Sequence, residues 1–299
     1  MISVLMLTYN REEMVTRAIE CILAQTYKDY EFIIVDNGSS DSSGQIADDY
    51  AKKDSRIKVI HRDKGSIGAG RNTALDAATG EYIAFIDDDD YAEADFLEFL
   101  LNLCKENEAD VSICGAADKA FDEVRVMTAE EAIIELMWRK KYNMAFPTKM
   151  FKRELVDYLR FPEETKYDDI ALMYKLLAGA HKVAYHGLPK YTFCRHDNNT
   201  SAWTTNHTLL DARTLDEYIS AYRTRTVWLS ERFPDSAAAF QYFEWSFMIS
   251  MVEKINRLKL KGCERQFRYM MDELKCARES FLNCPEILDF EKEWLKLYV

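Results

Sequence analysis

The chain has no long apolar run. No stretch approaches about 18 residues, so nothing in it reads as a membrane-spanning helix. It has no paired-cysteine spacing either: the seven cysteines are an odd number without a CxxC, and they read as reduced thiols of a cytosolic protein, mostly core fillers. Basic residues are the minority charge, 39 Lys+Arg against 51 Asp+Glu for a net of −12, which argues against a general nucleic-acid binder. There is no internal repeat or low-complexity segment. The loop Gly65-Ser66-Ile67-Gly68-Ala69-Gly70 lacks both the Lys-Ser/Thr of a P-loop and the spacing of a dinucleotide fingerprint. Met1 to Leu7 is apolar but short, with no basic segment before it, and is expected to be a first strand rather than a signal peptide.

What is present is a strand–helix alternation over the first half of 299 residues, 48% of them hydrophobic. Apolar runs at Ile2–Leu7, Glu31–Val35, Ile57–His61 and Tyr82–Ile86 predict strands, with helices over Glu12–Gln25, up to about Lys53, and from about Arg71. That order predicts a mostly parallel sheet with helices on both faces. Phe96–Asn107 reads as a helix, Asp110–Cys114 as a strand, and 128–141 as a helix entered at Thr128 with Glu131 in the capping-box position. From about 206 the pattern becomes helical: 208–232, 236–259, 262–282 and 286–297, punctuated by Pro234 and Pro285. The acidity is uneven. Residues 203–299 hold 14 Lys+Arg and 15 Asp+Glu, whereas 1–202 hold 25 and 36.

The most informative junction is Tyr82-Ile83-Ala84-Phe85-Ile86 running into Asp87-Asp88-Asp89-Asp90. In an open α/β sheet ligands bind beyond the carboxyl ends of the strands. Carboxylates this close repel, and a divalent cation relieves them. Mg²⁺ and Mn²⁺ take oxygen ligands, often one or two carboxylates plus substrate phosphates. Two readings stay open from the tetrad alone: a metal site holding a nucleotide diphosphate, or a solvated turn capping a helix that starts near Tyr91. Other strand ends are polar as well. Thr8-Tyr9-Asn10 offers hydroxyl and backbone contacts. Asp36 can accept from the N3–H of a uracil or can form the turn before Gly38. Arg71, near a helix N-terminus, can pair with a diphosphate. Asp168-Asp169 reads as a general-base site or as an N-cap pair before Ile170.

Together these pieces resemble family 2 glycosyltransferases of the GT-A fold. The matching stretches are Val4 to Asn10, Val35 to Asp41, Gly68-Ala69-Gly70-Arg71-Asn72 and Phe85 to Asp90; later matches are Phe161-Pro162-Glu163, Tyr167-Asp168-Asp169 and Tyr191 to His196. The resemblance covers roughly residues 1–202. It implies a Rossmann-like nucleotide-binding half in a GT-A catalytic domain, residues 1–204, followed by a helical region, 205–299. It implies donor-nucleotide contacts from Thr8, Tyr9, Asn10, Asp36, Arg71, Asp87 and Asp88. Asp90 would lie beside the donor sugar, and Asp169 would be the general base. Asp87 and Asp89 match the DxD motif, with Asp89 the metal ligand; His196 matches a position that approaches the metal or diphosphate in some relatives. The sequence departs from the family at Gly70 (usually Ala), Asp168 (usually Glu) and Asn37 (usually Asp).

The implied activity is inverting transfer of a sugar from a nucleotide-sugar, a UDP-sugar, to a glycan or lipid-linked glycan acceptor, assisted by Mn²⁺ or Mg²⁺, in surface polysaccharide biosynthesis. The expected location is the cytoplasm. The basic cluster Lys254, Arg257, Lys259, Lys261, Arg265 and Arg268 suggests peripheral attachment to anionic lipid or a solvated face. The aromatic C-terminal helices suggest core packing or a homodimer interface. Lys149 and Arg153, flanking Met150-Phe151, suggest either an acceptor-site lining or a solvated face. Two competing classes are a nucleotidyltransferase, which would want a basic Gly-rich loop after the first strand where Thr8 to Glu13 stands, and a non-catalytic binding subunit, for which loss of Asp89 or Asp169 would be the sign.

Overall fold

A computed structural model describes every residue except 119, 158, 166, 197, 198, 200 and 201. The chain divides into two compact units, Met1–Cys194 and Arg195–Val299, against an expected boundary after residue 204.

In the first unit the elements run β1 (Ile2–Thr8), α1 (Val15–Leu23), β2 (Tyr30–Asp36), α2 (Ser43–Ala51), β3 (Ile57–His61), α3 (Ile67–Ala77), β4 (Tyr82–Asp87), β5 (Tyr91–Ala92) and α4 (Phe96–Glu106). They continue as β6 (Val111–Ala116), β7 (Val124–Met127), α5 (Ala129–Trp138), β8 (Lys149–Lys152), α6 (Arg153–Val156), α7 (Asp168–Gly179) and β9 (Val183–Thr192). The strand order is β3-β2-β1-β4-β8-β6-β9-β5, with β7 paired to β9. β3, β2, β1 and β4 are all parallel; the near-continuous apolar sequences of β1, β2 and β4 follow from burial on both faces, whereas β3 at the edge is only partly buried. β8 then enters antiparallel between β4 and β6. This is the expected α/β architecture, a central parallel sheet carrying helices, with antiparallel strands added on the far side.

Three local features position the site. In the parallel register Thr8 lies opposite Asp36 and Leu7 opposite Asp87, so three polar strand ends share one edge. The helix α3 is capped by Ser66, whose Oγ accepts from the Ala69 N–H at 3.1 Å. Its first turn lies so close to the Phe161-Pro162 segment that a Cβ on Gly68 would sit 2.2 Å from the Pro162 carbonyl oxygen; only glycine allows that approach. The buried Gln25 ties α1 to the segment after the tetrad: its Nε2 donates to the Glu93 carbonyl at 2.8 Å and its Oε1 accepts from the Leu97 N–H at 2.9 Å. The helix expected to start near Tyr91 is instead the two-residue strand β5, paired with β9 through Tyr91–Thr192 and Ala92–Tyr191.

The second unit holds α8 (Ala212–Arg232), α9 (Ala237–Leu258), α10 (Glu264–Leu282) and α11 (Asp289–Tyr298), close to the expected spans. Asp211 caps α8 by accepting from the Thr214 N–H at 2.7 Å. The apolar face of α9 packs against α8, α10 and α11, with Tyr222 and Phe247 stacked at 4.2 Å. The buried Glu291 of α11 accepts hydrogen bonds from Tyr242 and Ser246 of α9 at 3.0 and 2.5 Å. Among the described residues, no helix is long and apolar enough to cross a membrane.

Candidate functional site

The turn after β4 holds the tetrad. The Asp90 N–H donates to the Asp87 carbonyl at 3.2 Å, closing the turn. A guanidinium N–H of Arg17 on α1 donates to the Asp89 carbonyl, pinning the same turn from the helix side. The four side chains have different surroundings. Asp88 accepts from the Tyr9 N–H at 3.4 Å and lies 3.7 Å from Arg11. Burial pushes its carboxyl up to about 7, with the Asp89 charge adding to the effect. The Thr8 hydroxyl, buried and outside hydrogen-bonding geometry with any neighbour, still lies close enough to pull in the other direction. Asp90 is nearly inaccessible, and both its oxygens are used: one accepts from the Tyr191 hydroxyl at 2.7 Å, the other from the Cys194 N–H at 2.7 Å. Burial first, and the Asp87 charge second, raise its pKa well above the carboxylate range.

Tyr191 went unremarked as a functional residue in the sequence. Its buried hydroxyl donates to Asp90 and accepts from the Asp87 N–H at 3.2 Å, so one phenol braces both ends of the tetrad. Only its place in the Tyr191 to His196 match hinted at a role.

Arg71 joins this turn to the candidate base. From α3 its Nη1 donates to both oxygens of Asp168, at 2.8 and 2.9 Å, and its Nη2 lies 3.5 Å from Asp87. The guanidinium also lies 5.4 and 5.5 Å from the ring centroids of Phe146 and Phe161. Asp168 therefore faces Arg71 rather than capping α7. Asp169, the next residue, is half-buried, and its Oδ1 accepts from the Ile170 N–H at 2.8 Å. Burial and the adjacent Asp168 charge raise its pKa, while Arg71 holds it back. Asp87 shows the same direction from burial, opposed by Arg71. Its side chain is 41% exposed, so solvent moderates that shift.

The residues expected to hold the nucleotide, Thr8, Tyr9, Asn10 and Asp36, gather at the same edge. Asn10 takes a left-handed conformation, φ 52°, as the chain turns from β1 towards α1, and its Oδ1 accepts from the Ser40 N–H at 2.8 Å. The Tyr9 hydroxyl accepts from Lys64 at 2.7 Å. Asp36 is buried at the end of β2, with one oxygen accepting from the Ser39 N–H at 3.0 Å and the other 3.0 Å from His61 Nδ1. His196 belongs to the second unit, where its N–H donates to Asn199 Oδ1 at 2.6 Å.

Lys149 corrects an expectation. It is fully buried, so it is neither a solvated face nor an acceptor lining. Its ammonium donates to the carbonyls of Asn143 and Ala145, at 2.9 and 2.6 Å, and burial lowers its pKa to about 7. It holds the loop that carries Phe146 under Arg71.

Among the described residues, no group of three or more His, Cys, Asp or Glu side chains is preassembled to hold a metal ion. The donor chemistry nonetheless fits a hard divalent cation. The carboxylates of Asp87 to Asp90 crowd one turn, and their charges help raise the pKa values of Asp87, Asp88 and Asp90, while Asp88 and Asp90 accept from protein donors. Such a cation would take one or two carboxylates here and complete its shell with phosphate and water oxygens.

The family model for glycosyl transferase family 2 matches residues 3–163. This chain belongs to that family. Similar proteins include the putative glycosyltransferase EpsH of Bacillus subtilis (strain 168), 33% identical over 210 residues, which are 65% of this chain and 61% of EpsH. The poly(ribitol-phosphate) beta-glucosyltransferase of Bacillus spizizenii is 40% identical over 179 residues, 55% of this chain and 27% of that one. The chain thus spans less than two thirds of these curated relatives. Among solved structures, S. aureus TarS 1–349 in complex with UDP-GlcNAc superposes with a TM-score of 0.67 at 21% identity, covering 94% of this chain and 88% of TarS 1–349. That likeness shows the fold.

Proposed function

We propose that the chain is a metal-dependent, inverting glycosyltransferase that moves a sugar from a UDP-sugar to a hydroxyl of a glycan or lipid-linked glycan, in the cytoplasm, during surface polysaccharide assembly. The observation that carries this is the single guanidinium of Arg71 touching both Asp168, beside the candidate base, and Asp87, in the donor turn. Transfer needs both within reach of one anomeric carbon. UDP is favoured because Asp36 matches the family position expected to accept a uracil N3–H, and because TarS is known with UDP-GlcNAc. The named acceptor of the Bacillus spizizenii relative, a poly(ribitol-phosphate), favours a polymeric acceptor.

In this reading Thr8, Tyr9, Asn10 and Asp36 hold the nucleoside, and Asp90, fixed by Tyr191, positions the donor sugar. Asp89 and Asp87 would hold Mn²⁺ or Mg²⁺. The ion supplies neutralisation of charge on the departing diphosphate. Asp169 takes the proton of the acceptor hydroxyl as that oxygen attacks the anomeric carbon. Its raised pKa makes it a stronger base than an ordinary carboxylate. Arg71 pairs with Asp168 and opposes the rise that burial and the Asp168 charge cause at Asp169. Direct displacement inverts the anomeric configuration.

The test is single-turnover transfer from UDP-sugars. Asp169→Asn is expected to lose transfer by at least about 10²-fold, the usual scale of general-base catalysis, while UDP binding is kept. Unchanged transfer would remove Asp169 from the mechanism.

Membrane attachment rests on fewer residues than the basic cluster suggested. Lys254 is turned to Ser250, Arg257 to Glu253 and Arg265 to Asp216. Lys259, Lys261 and Arg268 are exposed, Lys259 and Arg268 beside a cleft of about 570 Å³ between α9 and α10 with Ile255, Leu260 and Phe267 in its lining. Flotation with anionic vesicles at low salt reads this out, and sedimentation reads out a homodimer through exposed Val227, Phe290 and Leu297.

A further inference from the structure

His61 ends β3, directly opposite Asp36 in the β2–β3 register. Its Nδ1 lies 3.0 Å from Asp36 Oδ2, and its Nε2 lies 3.0 Å from Asp48 Oδ1 on α2. An ionised carboxylate only accepts, and a neutral imidazole has one donor nitrogen and one acceptor nitrogen. Both contacts are hydrogen bonds together only when the ring is an imidazolium.

A second observation shows that the fold makes room for this bridge. A Cβ built on Gly44 of α2 would stand 2.5 Å from Asp36 Oδ2 and 3.1 Å from His61 Cε1. The helix can lie against the pair only because that position is glycine. Asp36 is held from the other side by the Ser39 N–H at 3.0 Å. Each carboxylate oxygen has two lone pairs, so both still have acceptor capacity for a ligand. Asp36 itself is buried, whereas the His61 side chain is 50% exposed and exchanges its proton with solvent.

We propose that His61 is a positioning residue for the nucleobase: as an imidazolium between Asp36 and Asp48 it fixes the carboxylate that accepts the uracil N3–H, and its protonation sets donor affinity. This rests on the role given to Asp36 above. Among the described residues, Asp36 from β2 and Asp48 from α2 are the charged groups facing the ring. Asp36 and then Asp48 raise its pKa above the ordinary histidine value, and burial opposes them. The bridge is present below that raised value. As pH rises through it, one nitrogen keeps a lone pair aimed at a carboxylate, and the ring must release Asp36 or Asp48. Affinity is therefore highest on the acid side and falls as the ring deprotonates.

The experiment is calorimetric titration of UDP, at fixed Mn²⁺, into wild type, Asp48→Asn and His61→Gln between about pH 5.5 and 8.5, with the His61 ring titration followed by NMR. Titration of UDP itself is common to all three proteins and cancels in their comparison. The expected result is a Kd for wild type that rises by about five- to tenfold across the range, the scale of one ordinary net hydrogen bond. Asp48→Asn shifts both the ring titration and the affinity curve to lower pH, and His61→Gln, which keeps one donor towards Asp36, removes the pH dependence. Coincident curves, with UDP bound, would overturn the proposal while leaving the donor site standing. Failure of wild type to bind UDP at any pH would overturn the donor site and this proposal with it.

Discussion

Replacing Arg71 tests the link between the two halves of the site. Its side chain is 15% exposed and that of Asp168 5%, so the bidentate pair at 2.8 and 2.9 Å is an interior ion pair. Removing one partner of such a pair leaves the other charge buried, which costs about 3–5 kcal/mol. The contact with Asp87 is longer, 3.5 Å, and that carboxylate is 41% exposed, so it adds little. Arg71→Ala is therefore expected to lower unfolding stability by about 3–4 kcal/mol. Arg71→Lys, which keeps the charge but loses the fork and the stacking on Phe146 and Phe161, is expected to lose about 1–2 kcal/mol. Urea unfolding monitored by fluorescence measures both. The double variant Arg71→Ala/Asp168→Ala should recover part of the loss, because it removes the orphaned carboxylate. Activity has a separate signature. The Arg71 charge holds down the pKa of Asp169, so in Arg71→Ala the acid limb of the rate profile moves to higher pH, and in Arg71→Lys it moves little. Wild-type stability in Arg71→Ala, or a double variant as unstable as the single, would refute the ion-pair argument.

Two other expectations concern the tetrad. Tyr191→Phe deletes the hydroxyl between Asp90 and the Asp87 N–H, and should cost about 1–3 kcal/mol in thermal unfolding while weakening nucleotide-sugar binding; unchanged values for both would exclude the bracing role. The Asp88 carboxyl, pushed up to about 7 in the fold, binds more protons folded than unfolded between about pH 4 and 7, so it makes the metal-free protein less stable as pH rises through that window. Asp88→Asn should therefore raise stability by on the order of 2 kcal/mol at about pH 8 and by roughly a third as much at about pH 5. Equal effects at both pH values would contradict the buried-carboxylate account.

Much of this arrangement was legible before the structure, for identifiable reasons. β1, β2 and β4 are short apolar runs closed by polar turns, and burial on both faces gives them no competing periodicity. The Thr128–Glu131 capping box is local and formed as its spacing predicts, with the Glu131 N–H donating to Thr128 Oγ1 at 3.3 Å. Less legible features depend on distant partners. β5 is two residues long and exists through pairing with β9, a hundred residues away. Arg71 meets Asp168 across 97 positions, which no local pattern encodes. Lys149-Met150-Phe151-Lys152 looks like a strand with charged, solvated ends, yet Lys149 turns inward to backbone carbonyls left by the Asn143–Thr148 loop. Tyr191 sits in a strand rich in ordinary β-formers, and only the three-dimensional turn reveals what its hydroxyl bridges.

The central claim is that the strand ends around Asp36 and the tetrad form a metal-assisted nucleotide-sugar site. The most direct measurement is calorimetric titration of the protein with UDP, GDP and CDP, with Mn²⁺ and then with chelator, beside Asp89→Ala. The account predicts UDP binding that needs the metal and disappears in the variant. Absence of nucleotide binding under every metal condition would contradict it, and would bring forward a non-catalytic role for the fold.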